Sequence, residues 1–446
     1  MNNITDNFLE DINNIYESEI PQRVFCRVKQ LMLNYICVTE AGAKYNSNKI
    51  RKYMDFVKPE NGIYKIIGFD EKVTLKEAVF LNGLNSHALD YDDGTNAGII
   101  HLGAPIFSLL LNLAQKYKFE EREILKAIIV GYETSFTMAY SIQPEHKMRG
   151  YHATGTCGIL GATIAACYAL KFSKEEIKKA FSIAAVSATG LLKVLDDKSE
   201  LKPYNVAKTV LLSLTSIQMA KAGFEVNDDV LGGNRGFLSM MVGNPEIKLK
   251  KMLYDDTYAV EKAYIKPYAA CRYCHPSIEA AINLKKEIVI NDIKEINVRT
   301  YSLAVMGHDH IDVPNAASAK MSIPYGVAIG LLRGKAGLDE YTDELVKNPD
   351  VIALTQKVKV YQDKEFSSKF PNKQCAIVEI YTHDNQYSCQ VDFPKGEPEN
   401  PMTDEEFRNH FFDLLKYAEK SENVISQIYD SIMNHELNIN GFIDIL

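Results

Sequence analysis

No stretch of the 446-residue sequence approaches the roughly 18 uninterrupted apolar residues that a membrane-spanning helix needs. The nearest, Gly158 to Leu170, is rich in Ala and Gly and stops early, so it reads as a buried helix. Basic residues are not in excess: the formal charge is −8, which argues against a broad nucleic-acid or anionic-membrane surface. Any anion must therefore meet a local cluster of cations. The N-terminal MNNITDNFLEDINN is polar and acidic where a secretion signal would be basic and then apolar, which predicts a cytoplasmic protein. The eight cysteines (Cys26, Cys37, Cys157, Cys167, Cys271, Cys274, Cys375 and Cys389) are scattered through apolar stretches, and most are expected to be packed thiols rather than a disulfide framework. Neither internal repeats nor low-complexity tracts are present.

What is present is enough apolar residue, 46% against 24% charged, for a soluble globular chain of two or three domains. From Asp6 to about Ile265 the apolar residues recur at helical spacing, as in Phe25, Val28, Met32, Tyr35 and Ile36. Gly158 to Ala169 and Ala180 to Leu192 are apolar nearly all round, as helices inside a bundle are. Beyond Lys266, alternating β-branched and aromatic residues predict strands at Ile296 to Met306, Lys357 to Gln362 and Gln374 to Phe393. His383 to Gln386 interrupts the last as a turn, so Ala376 to Thr382 and Tyr387 to Phe393 should pair antiparallel. Ser322 to Arg333 and Leu338 to Lys347 are predicted helices, and helix resumes at Asp404 to Glu419, with Thr403 and Glu406 as a capping box, and at Glu422 to Asn434. The prediction is a mainly α protein: a discontinuous all-α domain formed by both chain ends, residues 1–265 and 401–446, with an α+β domain, residues 266–400, inserted between.

Four polar constellations stand out. In NSHALDYDDGTNAGIIHLGAP, His87, Asp90, Asp92, Asp93 and His101 crowd together beside an apolar helix, Pro105 to Ala114. On its own this reads as an exposed acidic loop capping that helix. A divalent metal site that activates water is one alternative, and a carboxylate-tuned imidazole for direct proton transfer is another. In RGYHATGTCG, His152 precedes an apolar, glycine-dotted helix whose N-terminus can favour an anion. In ELKPYNVAK, Lys202 and Lys208 are either carboxylate-binding point charges or solvated helix-end lysines. The fourth, AYIKPYAACRYCHPSIEAA, carries Lys266, Arg272 and His275.

Its Cys271-x-x-Cys274-His275 has the form of a c-type haem attachment motif, but that belongs with export, for which there is no signal. Zinc lacks a second ligand pair, and an iron–sulfur cluster lacks a third close cysteine. No metal and no cofactor are expected.

Taken in order, HALDYDD, HLGAP, GYHATGTCG, VLGGNRGFL, KPYAACRYCHPSIEAA, SIPYGVAIGLL and GEPENPMTDEEF resemble the MmgE/PrpD family over nearly the whole chain. The family includes 2-methylcitrate dehydratase, cis-aconitate decarboxylase and iminodisuccinate epimerase. The resemblance implies a homodimer whose helical domain is covered by the α+β domain as a lid. It places catalytic positions at Asp90, His101, His152, Lys202 and Lys266, with Tyr325 and Cys271 lining the pocket; Lys208, Arg272 and His275 are further substrate-binding candidates. Three departures bear on substrate: Leu102 stands in HLG where the family has HPG, and Asn205 and Lys208 replace a His and an Arg in Lys-x-x-His-x-x-Arg. An Arg-to-Lys change gives up bidentate carboxylate binding.

The implied chemistry is cofactor-independent proton transfer next to a carboxylate of a small di- or tricarboxylic acid. Because the altered positions surround the decarboxylase pocket, dehydration stands ahead of decarboxylation, and epimerisation third. Outside the family, a metal-dependent hydrolase and a non-catalytic metabolite-binding protein are the rival readings.

Overall fold

The computed structural model describes residues 3–195, 199–250, 257–434, 437, 439, 443, 445 and 446. The fold is mainly α, and the chain divides into two compact units, Met1–Ala263 with Phe411–Leu446, and Tyr264–His410. No helix among the described residues is long and apolar enough to cross a membrane.

The first unit is a helical bundle built from α1 (Ile4–Glu17), α2 (Gln22–Val57), α3 (Leu75–Ser86), α4 (Gly103–Ala114), α5 (Glu121–Ile142), α6 (Gly158–Ala169), α7 (Lys174–Ser187) and α8 (Lys202–Lys221). Every residue of α6 is buried, because it packs on α4, α5, α7 and α8 at once. That is why its sequence has no polar face. Helix α7 starts at a capping box, Ser173 with Glu176, and ends at Ser187 rather than running on to Leu192 as expected. The residues that follow leave the helix to pair with the His152 segment: Tyr151 bridges Leu191, and Leu192 N–H donates to Gly150 O at 2.7 Å.

In the second unit a four-stranded sheet has β1 (Glu295–Thr300) paired parallel with β2 (Val358–Gln362) and antiparallel with β3 (Ala376–Tyr381), which pairs antiparallel with β4 (Gln386–Val391). Ile296 and Val298 of β1, with Val378 and Ile380 of β3, point to one buried face, and helix α9 (His275–Leu284) packs on β3 and β4. The predicted hairpin is present. The strand expected to reach Met306 stops at Thr300, where Ser302 N–H turns to Ser367 Oγ and a single helical turn, Ser302–Val305, begins. Helix α10 (Ile323–Arg333) is as expected, whereas Leu338 to Lys347 is split into two short turns. Helix α11 (Asp404–Tyr417) starts at the Thr403–Glu406 capping box, and α12 (Glu422–Met433) returns to pack on α2. All eight cysteines are free thiols, and five of them are buried.

Candidate active site

The residues after α3 carry the densest polar chemistry of the first unit, and they do not form an exposed acidic loop. His87, Asp90, Asp92 and Asp93 are between 1% and 9% exposed. Burial on this scale requires partners for each charge. Asp93 accepts from Tyr132 Oη at 2.9 Å and from the Gly103 backbone N–H at 3.1 Å. Gly103 is needed there, since a Cβ would lie 2.5 Å from Tyr132 Oη and 2.6 Å from Asp93 Oδ1. Asp90 sits at φ 53°, a left-handed conformation that costs a non-glycine residue about 1–3 kcal/mol and tends to mark functional sites.

Asp92 organises two imidazoles. His87 Nδ1 lies 2.9 Å from both Asp92 carboxylate oxygens, and His101 Nδ1 lies 2.9 Å from the Asp93 carbonyl oxygen and 3.3 Å from Asp92 Oδ2. All these partners accept, so Nδ1 is the donating nitrogen of each ring. Burial alone would raise the Asp92 carboxyl, but the imidazoles of His101 and His87 outweigh it and hold the group below the usual carboxylate range. Asp93 goes the other way: burial, then the neighbouring Asp92 charge, raises it to about 7. Burial lowers His87 to about 4.

Helix α8 brings in the cation. Lys202 is its first residue, followed by Pro203 as suits a first turn, and its Nζ is 2.7 Å from Asp90 Oδ1. His101 Nε2 is 3.7 Å from the same oxygen. Lys202 is thus no solvated helix-end lysine: its side chain is 18% exposed and paired with one 12% exposed.

His152 joins them through its ring, stacked on His87 with centroids 5.8 Å apart. Its backbone N–H donates to Gly190 O at 2.9 Å, and the crossing of these segments needs two glycines. A Cβ on Gly155 would meet Thr189 O at 2.6 Å, and one on Gly190 would meet His152 O at 3.1 Å. The helix after His152 is a single turn, Ala153–Thr156, broken at Cys157 before α6. It is too short to offer the anion-favouring terminus expected from the sequence. Burial, then the His87, Lys202 and His101 charges, pushes His152 well below the ordinary imidazole value, with Asp90 opposing.

Ligand atoms of His87, Asp90, Asp92 and His101 all lie within 4.8 Å of one another, a donor set that suits a divalent cation. The Lys202 ammonium on Asp90 already supplies positive charge at that position, so a metal would have to displace it.

Residues 10–250 match the MmgE/PrpD N-terminal domain and residues 268–433 the MmgE/PrpD C-terminal domain. The chain belongs to the MmgE/PrpD family. Among its relatives, cis-aconitate decarboxylase from Aspergillus terreus is 23% identical over 96% of this chain and 92% of its own, and that from Mus musculus is 22% identical over 92% and 86%. The mitochondrial 2-methylcitrate dehydratase of Yarrowia lipolytica is 26% identical over 47% of this chain and 43% of its own.

Of the positions that the MmgE/PrpD resemblance marks, Asp90, His101, His152 and Lys202 come together in the first unit. Lys208 lies farther along α8, with its Nζ over the Tyr204 ring at 5.8 Å and its pKa lowered by burial. The others belong to the second unit. Lys266 is buried at 1% exposure, and the Cys271 N–H donates to Lys320 O at 2.8 Å. Arg272 pairs with Glu397 and stacks on Tyr264. His275 opens α9 with Nε2 3.1 Å from Ala270 O, and Tyr325 Oη donates to Glu340 O at 2.7 Å. Sequence reasoning raised His87, Asp92 and Asp93 only as part of a possible metal or proton-transfer cluster and Asn205 only as a departure bearing on substrate, and it did not raise Tyr132 at all. The density of HALDYDD was the available signal for the first three; Tyr132, on α5, left none.

Proposed function

We propose that this chain is a lyase that dehydrates or decarboxylates a small di- or tricarboxylic acid by proton transfer next to a carboxylate, without a cofactor. The observation that carries the reading is the meeting, on Asp90, of the Lys202 ammonium and the Nε2 edge of the His101 imidazole. An imidazole with a free Nε2 can take a proton from carbon, and an ammonium beside it stabilises the enediolate charge that develops. Loss of hydroxide from the adjacent carbon then completes dehydration. In decarboxylation, departure of carbon dioxide leaves the same kind of carbanion, which a histidine N–H protonates.

The family's named members support this class. Relatives aligned over nearly the whole chain are cis-aconitate decarboxylases, and those aligned over about half or less are 2-methylcitrate dehydratases. The reading includes a cytoplasmic homodimer with the α+β unit as a lid; light scattering of the purified protein checks the dimer. The test of function is to incubate the metal-stripped protein with cis-aconitate, 2-methylcitrate and related polycarboxylates in deuterated water, followed by NMR. Loss of water or of carbon dioxide supports the proposal and names the branch, and α-deuterium exchange alone would move it to an epimerase. Silence with every acid, with turnover restored by zinc or iron, would replace it with a metalloenzyme reading that the His87, Asp90, Asp92 and His101 donor set also suits.

A further inference from the structure

The three imidazoles of the site do not share one hydrogen-bonding environment. His87 and His101 both face acceptors at Nδ1, whereas His152 Nδ1 lies 3.3 Å from Asn205 Nδ2, an amide nitrogen that only donates. The orientation of that amide is itself fixed. Its Nδ2 also points at the Leu191 carbonyl oxygen, 3.4 Å away, and a flipped amide would set oxygen against oxygen. Asn205 is 1% exposed and lies one helical turn beyond Lys202 on α8, where its backbone carbonyl oxygen accepts from Thr209 Oγ1 at 2.7 Å. The Leu191 carbonyl is held in place by the same bridge between Tyr151 and Leu191 that positions the His152 backbone.

We infer that Asn205 is a positioning residue that fixes His152 as the Nε2–H tautomer, opposite to His101, so that His152 donates a proton or hydrogen bond where His101 accepts one. A neutral ring whose Nδ1 lone pair is engaged by an amide N–H has only its Nε2–H left to offer. Burial and the nearby Lys202 ammonium favour the neutral ring, and Asp90 opposes them. The assignment of roles rests on the lyase reading above: His101 removes the proton next to the substrate carboxylate, and His152 donates to the oxygen or carbon that gains electron density. The tautomer itself does not depend on that reading.

The test is long-range 1H–15N NMR of the full-length protein with 15N-labelled histidine, the His152 signals being assigned from their loss in His152→Gln. Wild-type protein at pH 8 is expected to show His152 protonated at Nε2 and His101 at Nδ1. In Asn205→Asp, which replaces the donor with an acceptor, His152 is expected to switch to Nδ1–H, with turnover falling by at least about 10²-fold as donation is lost. His152 found as Nδ1–H, or as a rapidly averaged mixture, in the wild type overturns the inference without recourse to any variant. So does an unchanged tautomer in folded Asn205→Asp. The expected tautomers with no turnover of any polycarboxylate would instead retire the lyase reading and leave the positioning role intact.

Discussion

Lys202 Nζ lies 2.7 Å from Asp90 Oδ1, joining the first residue of α8 to an aspartate held in left-handed backbone geometry after α3. The pair neutralises a carboxylate that would otherwise be costly to bury, and it places an ammonium on the same carboxylate that His101 Nε2 approaches. Lys202→Met, which keeps the length and loses the charge, is expected to lower kcat/KM by about 10²- to 10³-fold, the usual effect of removing one electrostatic stabiliser. Steady-state kinetics alongside circular dichroism check it, and turnover near wild type would take Lys202 out of the mechanism.

In the proposed mechanism His101 is the base, acting through Nε2 while Nδ1 is held by the Asp93 carbonyl oxygen. His101→Ala is therefore expected to cost about 10²- to 10⁴-fold in kcat while the fold persists. Deuterium exchange at the substrate α-carbon should be lost together with turnover. Retained exchange in this variant would assign the base elsewhere.

Metal removal should leave activity unchanged, because the Lys202 ammonium holds the cation position at Asp90. Dialysis against chelator, with metal content measured before and after, decides the matter. A stoichiometric loss of metal accompanied by loss of turnover would show that the His87, Asp90, Asp92 and His101 donor set is used for coordination.

Glu133 on α5 accepts from the Ala259 N–H at 2.6 Å, and burial, with Glu261 adding to it, raises its pKa to about 8. The folded state thus keeps a proton that the unfolded chain releases above its ordinary value of 4.5, and stability falls as pH rises from 4.5 to 8. Glu133→Gln preserves the acceptor and removes the titration. It should melt higher than wild type at pH 8 and close to it at pH 5, by calorimetry; an equal offset at both values would contradict the assignment.

Arg272 and Glu397 form an ion pair within the second unit, with side chains 6% and 2% exposed. Removing one partner strands a buried charge, so Arg272→Met is expected to destabilise by about 3–5 kcal/mol. Replacing both residues with Met should recover most of that loss in urea unfolding. If the double variant is no better than the single one, the pair is not what the Arg272 substitution disrupts.

The sequence by itself determined what rests on short-range pattern. Hydrophobic periodicity marked the all-buried α6, β-branched alternation marked the β3–β4 hairpin, and the Thr403–Glu406 spacing marked the start of α11. It also flagged the residues of HALDYDD, because so many charges beside an apolar helix need an explanation.

Only the tertiary structure decided which of those charges are buried and what they do. Whether Asp92 is a solvated loop carboxylate or a bridge between two imidazoles depends on His87 and His101 converging on it. Whether Lys202 is a helix-end lysine depends on where α8 packs against α3, and the tautomer assigned to His152 depends on Asn205, 53 residues away in sequence. Proton positions follow from partners in space. Contacts between residues so far apart in the chain leave no periodicity for a sequence to carry.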